Sequence, residues 1–230
     1  MRNGLIGIAS CLGLATAPLV AQDGDWGETY IAPPAPGQRT VPPVVGLTRR
    51  ADDLVMTVSF TSDTRDALAR TEEVHGMLLD ALTKGSTAGV TLSTGSPVLA
   101  PLTRENYRSI AMGWAGREDT SKADVLVSVP FTTTAAEAEQ RIDAFVKSLS
   151  RIGRGTIYKT GARMVGVRKP EQYRAQIVQL IADDVRANAD KFGPDYRGVI
   201  DGIGQPVQWQ QRGESEVFLY LPYSYRLVAK

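Results

Sequence analysis

Residues 54 to 61 alternate without a break: Leu54, Met56, Val58 and Phe60 fall on one side, Val55, Thr57, Ser59 and Thr61 on the other. Side chains of an extended strand point to opposite faces in turn, so this run describes a half-buried strand. The period then changes. Ser62 or Asp63 can cap a helix whose apolar positions Leu68, Val74, Met77, Leu78, Ala81 and Leu82 recur at helical spacing as far as Gly85. A second extended segment, Gly89 to Gly95, follows. A helix of this kind has to lay its apolar stripe on a sheet.

The same plan returns farther along. Val125, Val127, Val129 and Phe131 alternate, and Thr134 with Glu137 makes a capping box, in which each side chain satisfies an orphan backbone donor. Ile142, Phe145, Val146 and Leu149 form the stripe, and Gly155 to Gly161 reads as the returning strand. Residues 58–70 and 129–141 coincide at Val, Phe, Thr, Ala and Arg, so the two units read as a structural repeat in which Phe60 and Phe131 end equivalent strands. Between them, Pro97 to Lys122 reads as a hairpin or long loop. Beyond them, Ala162 to Val167 continues a strand, and Pro170 opens a long helix lined by Tyr173, Ile177, Leu180, Ile181, Val185 and Ala189. Phe192-Gly193-Pro194 ends it. Tyr196–Ile203, Gln205–Gln211 and Glu216–Ala229 read as strands, with Pro222 demanding an edge or a bulge in the last. The expected fold class is α+β: two strand–helix–strand units, then a long helix and C-terminal antiparallel strands.

The N-terminus reads as an export signal. Arg2 gives a positive start, Leu5 to Val20 is apolar and small, and Ala21 ends the run. Cleavage after Ala21 is expected, because a cut after Ala17 would leave Pro18 first. Ile8-Ala9-Ser10-Cys11 resembles a lipobox, the rival reading, but few apolar residues precede it and the run continues past Cys11. Residues 22–48 carry Pro33, Pro34, Pro36, Pro42 and Pro43 and read as an extended tether, leaving 49–230 as the folded domain. Without residues 1–21 the chain has no cysteine, equal numbers of acidic and basic residues, and no membrane span. Overall the chain has 26 Lys and Arg against 25 Asp and Glu, so no nucleic-acid partner is implied.

Residues 52 to 229 resemble the SIMPL family of bacterial periplasmic proteins. The resemblance rests on the order of elements, on the stretches 66–82, 123–131 and 161–167, and on the last long helix. There Ala182, Asp184, Arg186, Ala189, Phe192 and Gly193 occupy the places of the family's Ala-rich pattern and its stop, while Val185 replaces the usual Ala. The resemblance implies a periplasmic protein of α+β fold, linked to oxidative or envelope stress and without an established catalytic activity.

Little in the sequence points to chemistry. His75 is the only histidine; it reads as a solvent-facing or helix-boundary residue with no second ligand at metal-binding spacing. Asp183 and Asp184 are adjacent on a helix, so their carboxylates diverge by about 100° and share no proton. No Gly-rich segment extends to a phosphate or dinucleotide fingerprint. No catalytic, metal or cofactor residue is assigned, and no cofactor is expected. Phe218, Tyr220, Tyr223 and Tyr225, with Arg226, form the candidate interaction surface, because aromatics on both faces of a strand can leave one set for a partner; ordinary core and cross-strand packing is the favoured alternative. The expected function is non-enzymatic: envelope maintenance or stress protection through binding an envelope protein or ligand, or through homo-oligomer assembly. The alternative is a hydrolase acting on an envelope component through carboxylates alone. N-terminal sequencing of exported protein should read Gln22 first; a lipid-modified Cys11 would instead make the protein membrane-anchored.

Overall fold

A computed structural model describes residues 29–31 and 45–230. The expected signal segment and most of the proline-rich stretch lie outside the described residues. In chain order the elements are β1 (Thr29–Ile31), β2 (Leu47–Arg50), β3 (Asp53–Ser62), α1 (Ala67–Ala88), β4 (Thr91–Thr94), β5 (Val98–Pro101), a 3₁₀ turn at Tyr107–Ser109 and β6 (Ser121–Pro130). Then come α2 (Ala135–Ser148), β7 (Thr156–Arg168), a 3₁₀ turn at Pro170–Tyr173, α3 (Arg174–Asp190), β8 (Tyr196–Asp201), β9 (Gln208–Gln211), β10 (Glu216–Tyr220) and β11 (Ser224–Ala229).

Local chemistry sets the helix ends. Asp66 caps α1, its carboxylate accepting from the Ala69 N–H at 2.7 Å. The expected caps are used elsewhere: Ser62 donates to Glu73 at 2.5 Å, and Asp63 accepts from Arg154 at 2.7 Å. The helix continues past Gly85 to a left-handed Gly89 (φ 63°). Gly85 stays inside it because a Cβ there would lie 2.9 Å from Leu92 Cδ1. Thr134 caps α2 as the capping box requires, accepting from the Glu137 N–H at 3.2 Å.

The strands correct the expected fold class. Six of them close a barrel in the order β1-β5-β4-β6-β3-β7, all antiparallel, and the described chain is mostly β, with eleven strands and three α-helices. The two strand–helix–strand units are not separate bodies. β3 and β6, the first strands of each, pair directly from Asp53↔Pro130 to Ser62↔Ser121. The returning strands cross over: β4 pairs with β6, and β7 with β3. Within one unit the two strands run parallel, and interleaving lets every neighbour be antiparallel, the somewhat more stable ladder. β1 and β5 then close the cylinder. β1 comes from the stretch read as a tether and β5 from the stretch read as a loop; both are too short to show a period.

Closure gives β3 two buried faces. Leu54, Met56, Val58 and Phe60 face outward under α1 and α2, in a core with Val74, Met77, Val125, Val127, Ile142 and Phe145. The opposite face looks into the barrel, where Ile31, Val55 and Leu99 meet Leu126 and Met164, one side chain from each of five strands. Thr57 is half-buried and Ser59 and Thr61 are buried on that inner face, so the polar half of the alternation is lining and not a solvated surface. A second core packs Ile177, Ile181 and Val185 of α3 against Val165 and Val167 of β7 and Val217 and Leu219 of β10. That α3 face, with Ala189, matches the stripe expected from the sequence, except that Leu180 is exposed and Tyr173 falls in the preceding 3₁₀ turn. The final strand breaks around Pro222, and its halves join different sheets: β10 lies between β2 and β9, while β11 pairs with β8. Among the described residues no helix is long and apolar enough to cross a membrane.

Phe60 and Phe131 are not equivalent. Phe60 is fully buried in β3, whereas Phe131 follows β6, touches both cores and is only half-buried beneath the Arg50 guanidinium. Phe60→Ala should cost about 3–5 kcal/mol in urea unfolding, and Phe131→Ala distinctly less. Equal losses would restore the equivalence that the repeat implies.

Candidate functional site

The inner face of the barrel is polar at both ends, and each end opens into a cavity. At one end Asp53 of β3 faces Arg168 of β7. The guanidinium donates from Nε to Oδ2 at 2.8 Å and from Nη2 to Oδ1 at 2.5 Å. The Asp53 side chain is 4% exposed and that of Arg168 51%. Burial raises the Asp53 pKa, and the arginine opposes that rise without cancelling it. The neighbouring Asp52 is tied down as well, accepting from the Arg168 N–H at 2.8 Å and from Arg49 at 2.8 Å. Thr29, Thr91, Ser93 and Ser128 complete a hydroxyl-lined cup of about 380 Å³. Its internal ion pair leaves a neutral, hydrogen-bonding surface.

The other end is wider. β4 leaves β6 after Ser93↔Leu126, and the chain returns to the same edge only at Gly113, which exchanges backbone hydrogen bonds with Lys122 at 2.7 and 2.9 Å. Between these two points lies a cleft of about 530 Å³. Its inner wall holds Asp124, whose carboxylate accepts from Ser59 Oγ at 2.5 Å and pairs with Lys122 Nζ at 2.9 Å. The hydrogen bond to Asp124 raises the Lys122 pKa, so the ammonium keeps its charge. Its apolar wall is Leu102, Ile110 and Met112, which also pack on the main core. Trp114 stands at the rim, 68% exposed. Thr120 holds the loop behind it, accepting from the Ala115 N–H at 2.7 Å and donating to the Arg117 carbonyl at 2.6 Å. A second opening of about 420 Å³ lies beside this loop, where Asp63 meets Arg154 and, at 3.9 Å, Arg117.

Ser59 is the one hydroxyl that donates to a carboxylate in the cleft wall, but it is 0% exposed, so a substrate carbonyl has no path to its Oγ. Among the described residues no three His, Cys, Asp or Glu side chains lie close enough together to hold a metal ion.

His75 is placed differently from its expected position. It is 7% exposed on the inner face of α1, edge-on to the Tyr107 ring with centroids 5.9 Å apart. Neither ring nitrogen has a hydrogen-bond partner among the described residues. The nearest carboxylate oxygen, from Glu72, is 3.9 Å away and is itself bound by Arg108 at 2.7 Å. Burial lowers the His75 pKa, the Arg108 charge adds to this, and Glu72 opposes it.

The expected interaction surface divides. Phe218 and Tyr220 of β10 are buried and stacked on each other, with centroids 5.8 Å apart. Tyr223 is half-buried against the second core. Tyr225 and Arg226 of β11 are exposed, with Arg226 3.7 Å from Asp201. The cleft residues were missed because their segment reads as a loop. The signal available was the polar alternation of Lys122 and Asp124 opposite the valines of β6. No family model matches the chain, and no curated protein matches it.

The His75 environment makes stability depend on pH. Its folded pKa lies below the unfolded value of about 6.5, so the unfolded chain takes up a proton that the native state resists. That stabilisation is complete above about pH 6.5 and is lost as the pH falls towards the folded value. Urea unfolding at pH 7.5 and pH 5 should show the loss, and His75→Gln should make it smaller. An undiminished loss in the variant would assign the effect to other groups.

Proposed function

We propose that this is an exported, SIMPL-like, non-enzymatic protein that serves envelope maintenance or protection from oxidative or envelope stress in the periplasm, by binding a ligand or envelope protein or by self-assembly. The N-terminal pattern and the α3 residues Ala182, Asp184, Arg186 and Ala189 support the placement. The observation that carries the binding role is the cleft at Asp124: an exposed tryptophan, an apolar wall and an ion pair already satisfied internally. Such a surface recognises shape and hydrogen-bonding pattern. Tyr225 and Arg226 remain the exposed part of the surface available to a partner or a second copy.

A second reading, the carboxylate-dependent hydrolase acting on an envelope component, draws on Asp53, whose buried carboxyl has a raised pKa at the lip of a cavity. One experiment separates the two. In a deletion strain under envelope stress, Trp114→Ala should accumulate normally and fail to protect, while His75→Gln should protect fully. Full protection by the Trp114 variant, with loss of envelope-component turnover in Asp53→Asn, would favour the hydrolase.

A further inference from the structure

The binding cleft contains a missing rung. Lys122 directs both its N–H and its C=O to Gly113, so on β6 the even-numbered residues present their backbone groups to that edge. Leu126 pairs with Ser93 and Ser128 with Thr91 on the same edge. Asp124 lies between, in the same phase, and the ladder forms no rung there. Continued register would set Gly95 opposite Asp124, but β4 ends at Thr94 and Gly95, with φ 92°, turns towards Val98 and Ala100 of β5. The Asp124 N–H and C=O therefore point into the cleft.

We propose that the cleft binds a short, extended peptide, one residue of which supplies the missing rung at Asp124. This deepens the binding reading above and rests on it. A rung needs an N–H and a C=O carried on the same Cα, which is the unit of an extended α-amino-acid chain. A single acetamido group points its N–H and C=O in opposite directions within one amide plane and cannot fill both positions. Lys122 and Leu126 are four residues apart, roughly 14 Å, and Thr94 already stands opposite Val125 at one end of that span, so about two extended residues fit in the ladder and a third must lift out of it. The site therefore takes a tripeptide-sized fragment or the end of a longer chain, not a strand that passes through.

Strand pleating also assigns the side chains. The pairing residue points the way Asp124 does, over the Lys122–Asp124 ion pair, where a small or polar side chain is accommodated. Its neighbour within the ladder points the opposite way, towards the wall of Leu102, Ile110 and Met112, where an apolar side chain fits. Trp114 at the rim covers the occupant.

The test uses the full folded chain without its leader and the capped tripeptide acetyl-Leu-Ala-Leu-amide, followed by backbone and indole NMR signals. Saturable shifts should appear at the Asp124 amide and the Trp114 indole. Methylating the central alanine nitrogen should weaken binding about tenfold, the effect of one lost hydrogen bond. Trp114→Ala should weaken it too, with the remaining spectrum native. No saturable shift at Asp124, indifference to N-methylation, or shifts at Asp124 produced by N-acetylglucosamine and not by the peptide would each overturn the proposal. Failure of stress protection in Trp114→Ala without peptide binding would overturn the peptide occupant alone and leave the binding role intact.

Discussion

From Asp53 to Ser62, β3 hydrogen-bonds to β6 along one edge and to β7 along the other, while its outward face is buried under two helices and its inward face in the barrel. The barrel strands beside it and the two helices above it take their places from this strand. α1 and α2 cover it because Phe60, Val58 and Met56 must leave water. β7 leaves its regular register with it between Val55 and Thr57, and the left-handed Gly161 (φ 76°) sits where the ladder shifts. That shift bends β7 far enough for its last residues to meet both β1 and α3.

Burial of the inner face governs the chemistry of the barrel. Hydroxyls and charges inside a low-dielectric lining must find partners, and they do: Ser59 with Asp124, Thr61 with Thr156 at 2.7 Å, and Asp53 with Arg168. Each partnership satisfies a polar group that burial would otherwise leave unpaired. What remains for ligands is the surface at the barrel ends, where β4 and β5 are too short to follow β6 along its length. The wide cleft is thus a consequence of unequal strand lengths.

Local pattern made most elements legible. Both long helices of the repeated units, the capping box at Thr134, the apolar stripe of α3 and the break at Pro222 follow from period, capping chemistry and proline sterics, all of which act within a few residues. The alternation in β3 was read correctly as a strand and incorrectly as half-buried. Period two reports that two faces differ, and the same polar face serves equally as a solvated surface or as the lining of a barrel. His75 shows the same limit. Its place between Val74 and Gly76 carries no sign that Tyr107 will lie over it.

The amino-acid sequence alone therefore determined where the longer strands and helices form, the cap of α2 and which helix faces are apolar, because those choices depend on neighbours within one or two turns of chain. Only the tertiary structure decided which strands pair, since β4 could lie beside β3 or β6 with the same local pattern and the antiparallel ladder settles the choice. It also decided that three residues near the N-terminus would close a barrel. The cleft at Asp124 depends on both decisions: it exists where two segments remote in sequence reach the same edge and stop short of each other.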